Sequence, residues 1–182
     1  KDARMQQPEE FVPLVVPPSL ERAEEYNVTN PEYSVEEALA ADLSESLSDE
    51  INEGSLMLER VDGEVVIRFP GHVVYPSGSD TILPSTLEIL DRVAKALSET
   101  NGQLVVSGHT DDVPISTGRY RSNWDLSSAR AASVVHFLLR NKLIDPGRIS
   151  ATGYADSRPL VPNDSAENRS KNRRVEISIR AR

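Results

Sequence analysis

Between residues 84 and 100 the apolar positions Leu87, Ile89, Leu90, Val93, Ala94 and Leu97 fall on one side of a helical wheel. Glu88, Asp91, Arg92, Lys95 and Glu99 fall on the other. That is the 3.6-residue period of an amphipathic helix, which Asn101-Gly102 ends. Before it, Leu56–Arg60 and Glu64–Phe69 flank Val61-Asp62-Gly63, and the Asp-Gly pair supplies the positive-φ residues of a tight hairpin. After it the period alternates between two and 3.6. Gln103–Asp111 reads as a strand, about 123 to 141 as a helix, and Arg148–Tyr154 as a strand. About 165 to 172 reads as a short helix, and Arg174–Arg180 as a closing strand with Val175, Ile177 and Ile179 in alternation. Strands alternating with helices after an opening hairpin predict an α/β fold: a two-layer sandwich with a mixed sheet and helices on one face.

The first third of the chain is patterned differently. Ser34-Val35-Glu36-Glu37 forms a capping box, and a helix to about Glu53 follows, its apolar residues at 35, 39, 43, 47 and 51 repeating every four. Such a stripe is narrow and drifts around the rod, so it predicts a weak dock on a core or pairing with a second copy, docking being the simpler. Residues 1–33 hold five of the twelve prolines and no sustained period, which predicts an extended, largely disordered linker. Fully extended, it would reach on the order of 110 Å. The expected division is 1–33 linker, 34–54 linker helix and 55–182 globular domain.

Charge sharpens this division. The net charge of −9 resolves into four Lys/Arg against fifteen Asp/Glu over residues 1–60, net −11, and sixteen against fourteen over residues 61–182, net +2. The acidic block is read as solvation rather than as a partner surface. Cysteine is absent, which excludes disulfides and thiolate metal sites and leaves either redox compartment open. No apolar run approaches the ~20 residues of a membrane helix. The chain opens at Lys1 and reads as an excised fragment, with an upstream anchor left open.

The chemistry concentrates in Gly108-His109-Thr110-Asp111-Asp112 at the end of a predicted strand, followed by Arg130 in the next helix. Leu126, Arg130, Val134 and Leu138 step by four, so Arg130 points along an apolar face. A guanidinium there needs pairing, and Asp111 or Asp112 is the natural counter-ion. The pair either pins helix to strand, or the carboxylate and the Arg fork together hold a zwitterionic amino-acid head. Both readings stay open on the residues alone. The register of the last strand suggests Arg174 as a further member, from the basic run Lys171-Asn172-Arg173-Arg174.

Enzyme readings fail on geometry. Ser107, His109 and Asp111 on one strand face would stand nearly 7 Å apart, too far for a triad. Asp111 and Asp112 would face opposite ways, which disfavours an acid–base couple. His72, His109 and His136 show no metal-ligand spacing, there is no glycine-rich phosphate loop, and the basic run is too small for a nucleic-acid footprint. No cofactor and no nucleic-acid partner are expected.

These residues resemble a known family. Gly108-His109-Thr110-Asp111, Asn123-x-x-Leu126-Ser127-x-x-Arg130-Ala131, Ala151-Thr152-Gly153-Tyr154 and Asn172-Arg173-Arg174-Val175-Glu176-Ile177 look like the OmpA-like peptidoglycan-binding domain, over about residues 65 to 182. The resemblance implies a βα/αβ sandwich in the periplasm that does no chemistry and holds the peptide stem of peptidoglycan. Positions matching Asp111 and Arg130 would grip the diaminopimelate head, and those matching Thr110, Asn123 and Leu126 would line the site. Within the family, Ser122-Asn123-Trp124-Asp125-Leu126-Ser127 and Arg158–Asp164 resemble the B subunits of flagellar motor stators, MotB and PomB types, with wording closer to the sodium-driven PomB type. That implies an inner-membrane-anchored homodimer beside a stator A subunit, with basal-body ring proteins as further candidate partners. A static outer-membrane-to-wall tether is the alternative. Pro76 stands where the peptidoglycan-associated lipoproteins carry an Asp, Ala155 where a second Gly is usual, and Asn168 where a Gly is common.

Overall fold

A computed structural model of the chain describes residues 34–181. The expected linker at 1–33 lies outside the described residues. In chain order the elements are α1 (Val35–Ser46), α2 (Ser48–Asn52), β1 (Met57–Val61), β2 (Glu64–Pro70), α3 (Gly71–Val74), α4 (Pro84–Ser98), β3 (Gly102–His109), α5 (Asn123–Leu139), a 3-10 turn (Pro146–Arg148), β4 (Ile149–Gly153), α6 (Ala166–Asn172) and β5 (Arg174–Ala181).

The strands form one sheet in the order β1-β2-β5-β3-β4. Its first three pairings are antiparallel and β3–β4 is parallel. The parallel pair is joined through α5, the kind of crossover such a connection requires. The last strand, β5, inserts between β2 and β3, so the sheet closes only when the C-terminal segment arrives. The opening hairpin turns on Asp62 (φ 51°) and Gly63 (φ 79°), with Val61 opposite Glu64, the positive-φ pair of a two-residue type I′ loop.

Alternation along the central strands sorts the two faces. Val65, Ile67 and Phe69, Val175, Ile177 and Ile179, and Leu104 and Val106 are fully buried in one core, which α1 and α5 cover. Arg68, Ser107, His109, Arg174 and Glu176 occupy the opposite face. The fold is the expected mixed α/β sandwich. In α4 the buried positions are Thr86, Leu90, Val93, Ala94, Ala96 and Leu97, while Leu87 and Ile89 are only partly covered.

The N-terminal helix departs from expectation in two ways. It is interrupted at Leu47 (φ −117°, ψ 22°), giving α1 and α2 rather than one rod. A four-residue repeat advances 40° per step on a 100° helix, so an unbroken rod would carry its stripe off the core; the break keeps Leu47 inside. The dock is also not weak. Leu39, Leu43 and Leu47 are at most 1% exposed and belong to the main core, and three such side chains contribute on the order of 6 kcal/mol. Ion pairs add to the seam, Glu37 with Arg60 at 2.9 Å and the buried Glu50 with Arg92. The capping box forms as read, Ser34 Oγ accepting from Glu37 N–H and Glu37 Oε2 from Ser34 N–H. The four-residue α3 has no counterpart in the pattern, because one turn is too short to show a period.

Candidate functional site

Two glycines bring α5 down onto the sheet. Gly108 and Gly153 are register partners in β3 and β4. A Cβ on Gly108 would lie 2.1 Å from the Ser127 carbonyl oxygen, and one on Gly153 would lie 2.2 Å from Ser128 Oγ. The helix therefore touches bare backbone, and Ser127 Oγ accepts the Ala155 N–H at 3.0 Å. Ala155 itself holds φ 49°, a left-handed conformation that glycine adopts more readily. Beyond the zipped ends, Thr110 N–H donates to the Ala155 carbonyl, β3 stops at His109, and the chain turns outward.

That turn delivers Thr110 and Asp111 to a groove of about 460 Å³. Asn123, Leu126 and Arg130 form its α5 wall, spaced i, i+3 and i+7 along one helix face. Tyr75, Ser77 and Gly78 face them from the loop after α3, Val113, Pro114 and Ile115 from the loop after β3, and Arg173 closes the mouth. Five of the six residues selected from sequence thus line one cavity: Asp111, Arg130, Thr110, Asn123 and Leu126.

Their partners differ from expectation. Asp111 and Arg130 do not pair with each other. Asp111 Oδ2 accepts from Arg173 Nη1 at 2.5 Å and Oδ1 from Val113 N–H at 3.1 Å. Arg130 Nε donates to the Ser79 carbonyl at 2.8 Å and Nη2 to that of Pro76 at 3.3 Å, while its guanidinium stacks 4.9 Å from the Tyr75 ring centroid. Carbonyl dipoles and a π face therefore stabilise the buried cation in place of a carboxylate. Burial is the main influence pulling the Arg130 pKa below its ordinary value; Tyr75, Tyr120 and Asp80 pull it upward, and the Arg173 charge adds to the lowering. Pro76 thus serves the clasp through its backbone carbonyl.

Arg174 is the sixth choice, and it is displaced. It lies on the opposite face of the sheet, 4% exposed, donating through Nε to Glu176 at 2.7 Å and to the carbonyls of Asn172 and Arg158. The groove residue is Arg173. It precedes the first residue of β5, and its carbonyl receives the Gly71 N–H at 2.8 Å, so it sits outside the strand alternation from which Arg174 was chosen. Asn172 is fully buried and holds the loop before α6, its Oδ1 accepting the N–H groups of Leu160 and Val161.

His109 faces away from the groove as well. It is 3% exposed and stacked on Tyr154 at 5.3 Å, its Nε2 stands 3.7 Å from Glu176 Oε2, and among the described residues neither ring nitrogen has a hydrogen-bond partner. Burial first, then the Arg174 charge, push its pKa down to about 4, against the pull of Glu176. Burial works to raise the Glu176 carboxyl, but a hydrogen bond and charge from Arg174 and a hydrogen bond from Arg68 outweigh it and hold its pKa low. Pattern reading missed Tyr75 and Asp80. Asp80 ties the two groove loops together, accepting from Arg119 at 2.9 Å and from the Tyr120 hydroxyl at 2.6 Å. Neither carried a local signal, since each acts across about 40 residues or more of sequence.

The OmpA family matches residues 74–173, a span containing the groove's loops and helix, and the chain belongs to that family. Within it the likeness is of the MotB type. Motility protein B of Bacillus subtilis (strain 168) is 31% identical over 144 residues, 79% of this chain and 55% of that protein. The chain spans about half the length of the curated relatives it matches, 50% and 55% for two of them. Among solved structures, the periplasmic domain of Helicobacter pylori MotB superposes with TM-score 0.62 at 32% identity, covering 67% of this chain and 86% of that one. The cell wall anchor of the T6SS from Pseudomonas aeruginosa superposes with TM-score 0.71 at 38% identity, covering 77% of this chain and 97% of that one. Among the described residues no helix is long and apolar enough to cross a membrane.

Proposed function

We propose that this domain is a non-catalytic anchor that grips the peptide stem of peptidoglycan in the periplasm and ties a flagellar stator complex to the wall. The observation that carries the reading is the meeting of Asp111, Arg130 and Arg173 in one groove, a carboxylate facing two guanidiniums. That is the complement of an amino-acid head with both charges, in a cavity of ordinary ligand size. Thr110, Asn123 and Leu126 line it for the rest of the stem. The MotB likeness supports the stator role. A homodimer, a stator A subunit and basal-body ring proteins are the partners this reading entails, and the wording of the motifs favours the sodium-driven PomB type. Residues 1–33 serve as the reach toward the wall, and the helix at 34–54 switches between docked and released states around the domain at 55–182.

Co-sedimentation with purified sacculi tests the grip. Wild type is expected to pellet with the wall, and folded Asp111→Asn and Arg130→Ala to remain in the supernatant. A wild-type chain that stays soluble would overturn the reading. The likeness to the secretion-system wall anchor favours a second one, a static tether with the same groove and no motor role. Restored swimming when the full-length protein replaces the B subunit in a stator-deficient cell decides for the motor.

A further inference from the structure

Asp80 and Tyr120 do not line the groove, yet they are joined to Arg130 through the backbone. Arg130 Nε and Nη2 donate to the carbonyls of Ser79 and Pro76, and both carbonyls belong to one turn. The Ser79 N–H closes that turn on the Pro76 carbonyl at 3.2 Å, with Gly78 at φ 65° inside it. The orientation of the guanidinium therefore follows the position of the turn.

The turn is pinned at both ends to the element that carries Arg130. At its near end the Tyr75 hydroxyl donates to the Arg130 carbonyl at 2.7 Å. At its far end the Asp80 carboxylate accepts from the Tyr120 hydroxyl at 2.6 Å and from Arg119 at 2.9 Å. Tyr120 stands two residues before Ser122, the N-cap of α5, so the second tie runs to the helix's own lead-in.

The two donors to Asp80 are unequal. Tyr120 is 5% exposed, in a closed turn where the Thr117 N–H donates to the Tyr120 carbonyl and the Tyr120 N–H to Thr117 Oγ1. The Arg119 side chain is 68% exposed, where an ion pair is screened by water and salt and contributes little.

Resting on the wall-anchor reading, we propose that Asp80, held by Tyr120, is a positioning residue for Arg130: it keeps the Pro76–Ser79 turn against the guanidinium. The grip on the ligand's carboxylate then depends on a pair of residues outside the groove, and Arg119 is dispensable. With the tie cut, the turn drifts from α5 and Arg130 loses its fixed acceptors. Binding must then order a side chain that the intact turn holds in place beforehand.

Two measurements separate this proposal from the reading it rests on. In the ligand-free chain the side-chain Nε–Hε resonance of Arg130 reports its bond to Ser79. Asp80→Ala and Tyr120→Phe are expected to shift that resonance and speed its exchange with solvent, and Arg119→Ala to leave it in place. Calorimetric titration with a soluble stem tetrapeptide carrying meso-diaminopimelate gives the second. The dissociation constant is expected to rise at least about fivefold in Asp80→Ala and Tyr120→Phe, against about twofold or less in Arg119→Ala. Asp80→Asn keeps an oxygen for the Tyr120 hydroxyl and is expected to restore the Arg130 resonance and most of the affinity. An Arg130 resonance unmoved in Asp80→Ala overturns the positioning role. So does a lower melting temperature with an unchanged dissociation constant, which would leave the tie purely structural. No binding of the peptide by folded wild type overturns the wall-anchor reading, and the resonance then decides the positioning role alone. Should Asp80→Ala fail to fold, Tyr120→Phe, which loses a single hydroxyl, carries both measurements.

Discussion

Asn172, Arg173 and Arg174 are consecutive, yet they serve three regions: a buried clasp on the preceding loop, the mouth of the groove, and an ion-pair cluster on the far face of the sheet. Composition alone marks such a run as basic and suggests one task for it. The end of α6 and the start of β5 fall inside the run, and the change of backbone path separates the side chains. His109 shows the same effect, since it stands two residues before Asp111 and faces the opposite side. It is faced by Arg174, Glu176, Arg158 and Arg68 and stacked on Tyr154. Its pKa of about 4 in the folded chain lies below the ordinary 6.5, so between these values the unfolded chain binds the extra proton. Stability from this residue is complete above about pH 6.5 and is lost as pH falls toward 4, roughly 3 kcal/mol in all. Urea midpoints at pH 7 and pH 4.5 are expected to differ less in His109→Phe, which keeps a ring on Tyr154 and removes the titration. An unchanged difference would assign the acid sensitivity to Glu176 and its arginines instead.

At the scale of elements, the shared face of Leu126 and Arg130 was legible because a helical period steps through both, whereas Asn123 entered only through the resemblance to the OmpA-like domain. What that face meets was not legible, because the approach of α5 to β3 depends on two glycines 45 residues apart, Gly108 and Gly153, becoming neighbours in a parallel pair. Gly108→Ala is expected to destabilise the fold by about 2 kcal/mol or more, through overpacking against the Ser127 carbonyl. It should weaken sacculus binding more than its stability loss accounts for, since pushing α5 outward moves Arg130 away from Asp111. Denaturation midpoints and co-sedimentation on one preparation check both. The break at Leu47 belongs to the same scale: the four-residue repeat announced a drifting stripe, and the break keeps Leu47 buried with Leu39 and Leu43.

On the scale of the whole molecule, α1 and α2 join the domain core rather than resting on it, with Leu39, Leu43 and Leu47 fully enclosed. Release of this segment exposes on the order of 6 kcal/mol of apolar contact, so a released state requires a partner that binds it better than the docked one. A disulfide engineered between α1 and β1, in a chain that contains no cysteine, is expected to leave folding intact. On the proposed stator reading, the bridged full-length protein should not support swimming until a reductant is added. Full motility with the bridge demonstrably formed would show that the helix stays docked while the motor runs. The alternation of periods, the Asp-Gly hairpin, the capping box and the α/β class were determined by the sequence alone, because each depends on residues within a few positions of one another. The choice of Asp111 and Arg130 came from strand and helix periods and that of Thr110, Asn123 and Leu126 from the resemblance to the OmpA-like domain; the structure lines one groove with all five. The pairing of Asp111 with Arg173 instead of Arg130, the exclusion of Arg174 from the groove and the burial of His109 among Arg174, Glu176 and Tyr154 were decided only by the tertiary structure. Each depends on which strand end, helix and loop are brought within about 3 Å, the reach of a hydrogen bond, and no local period encodes that distance.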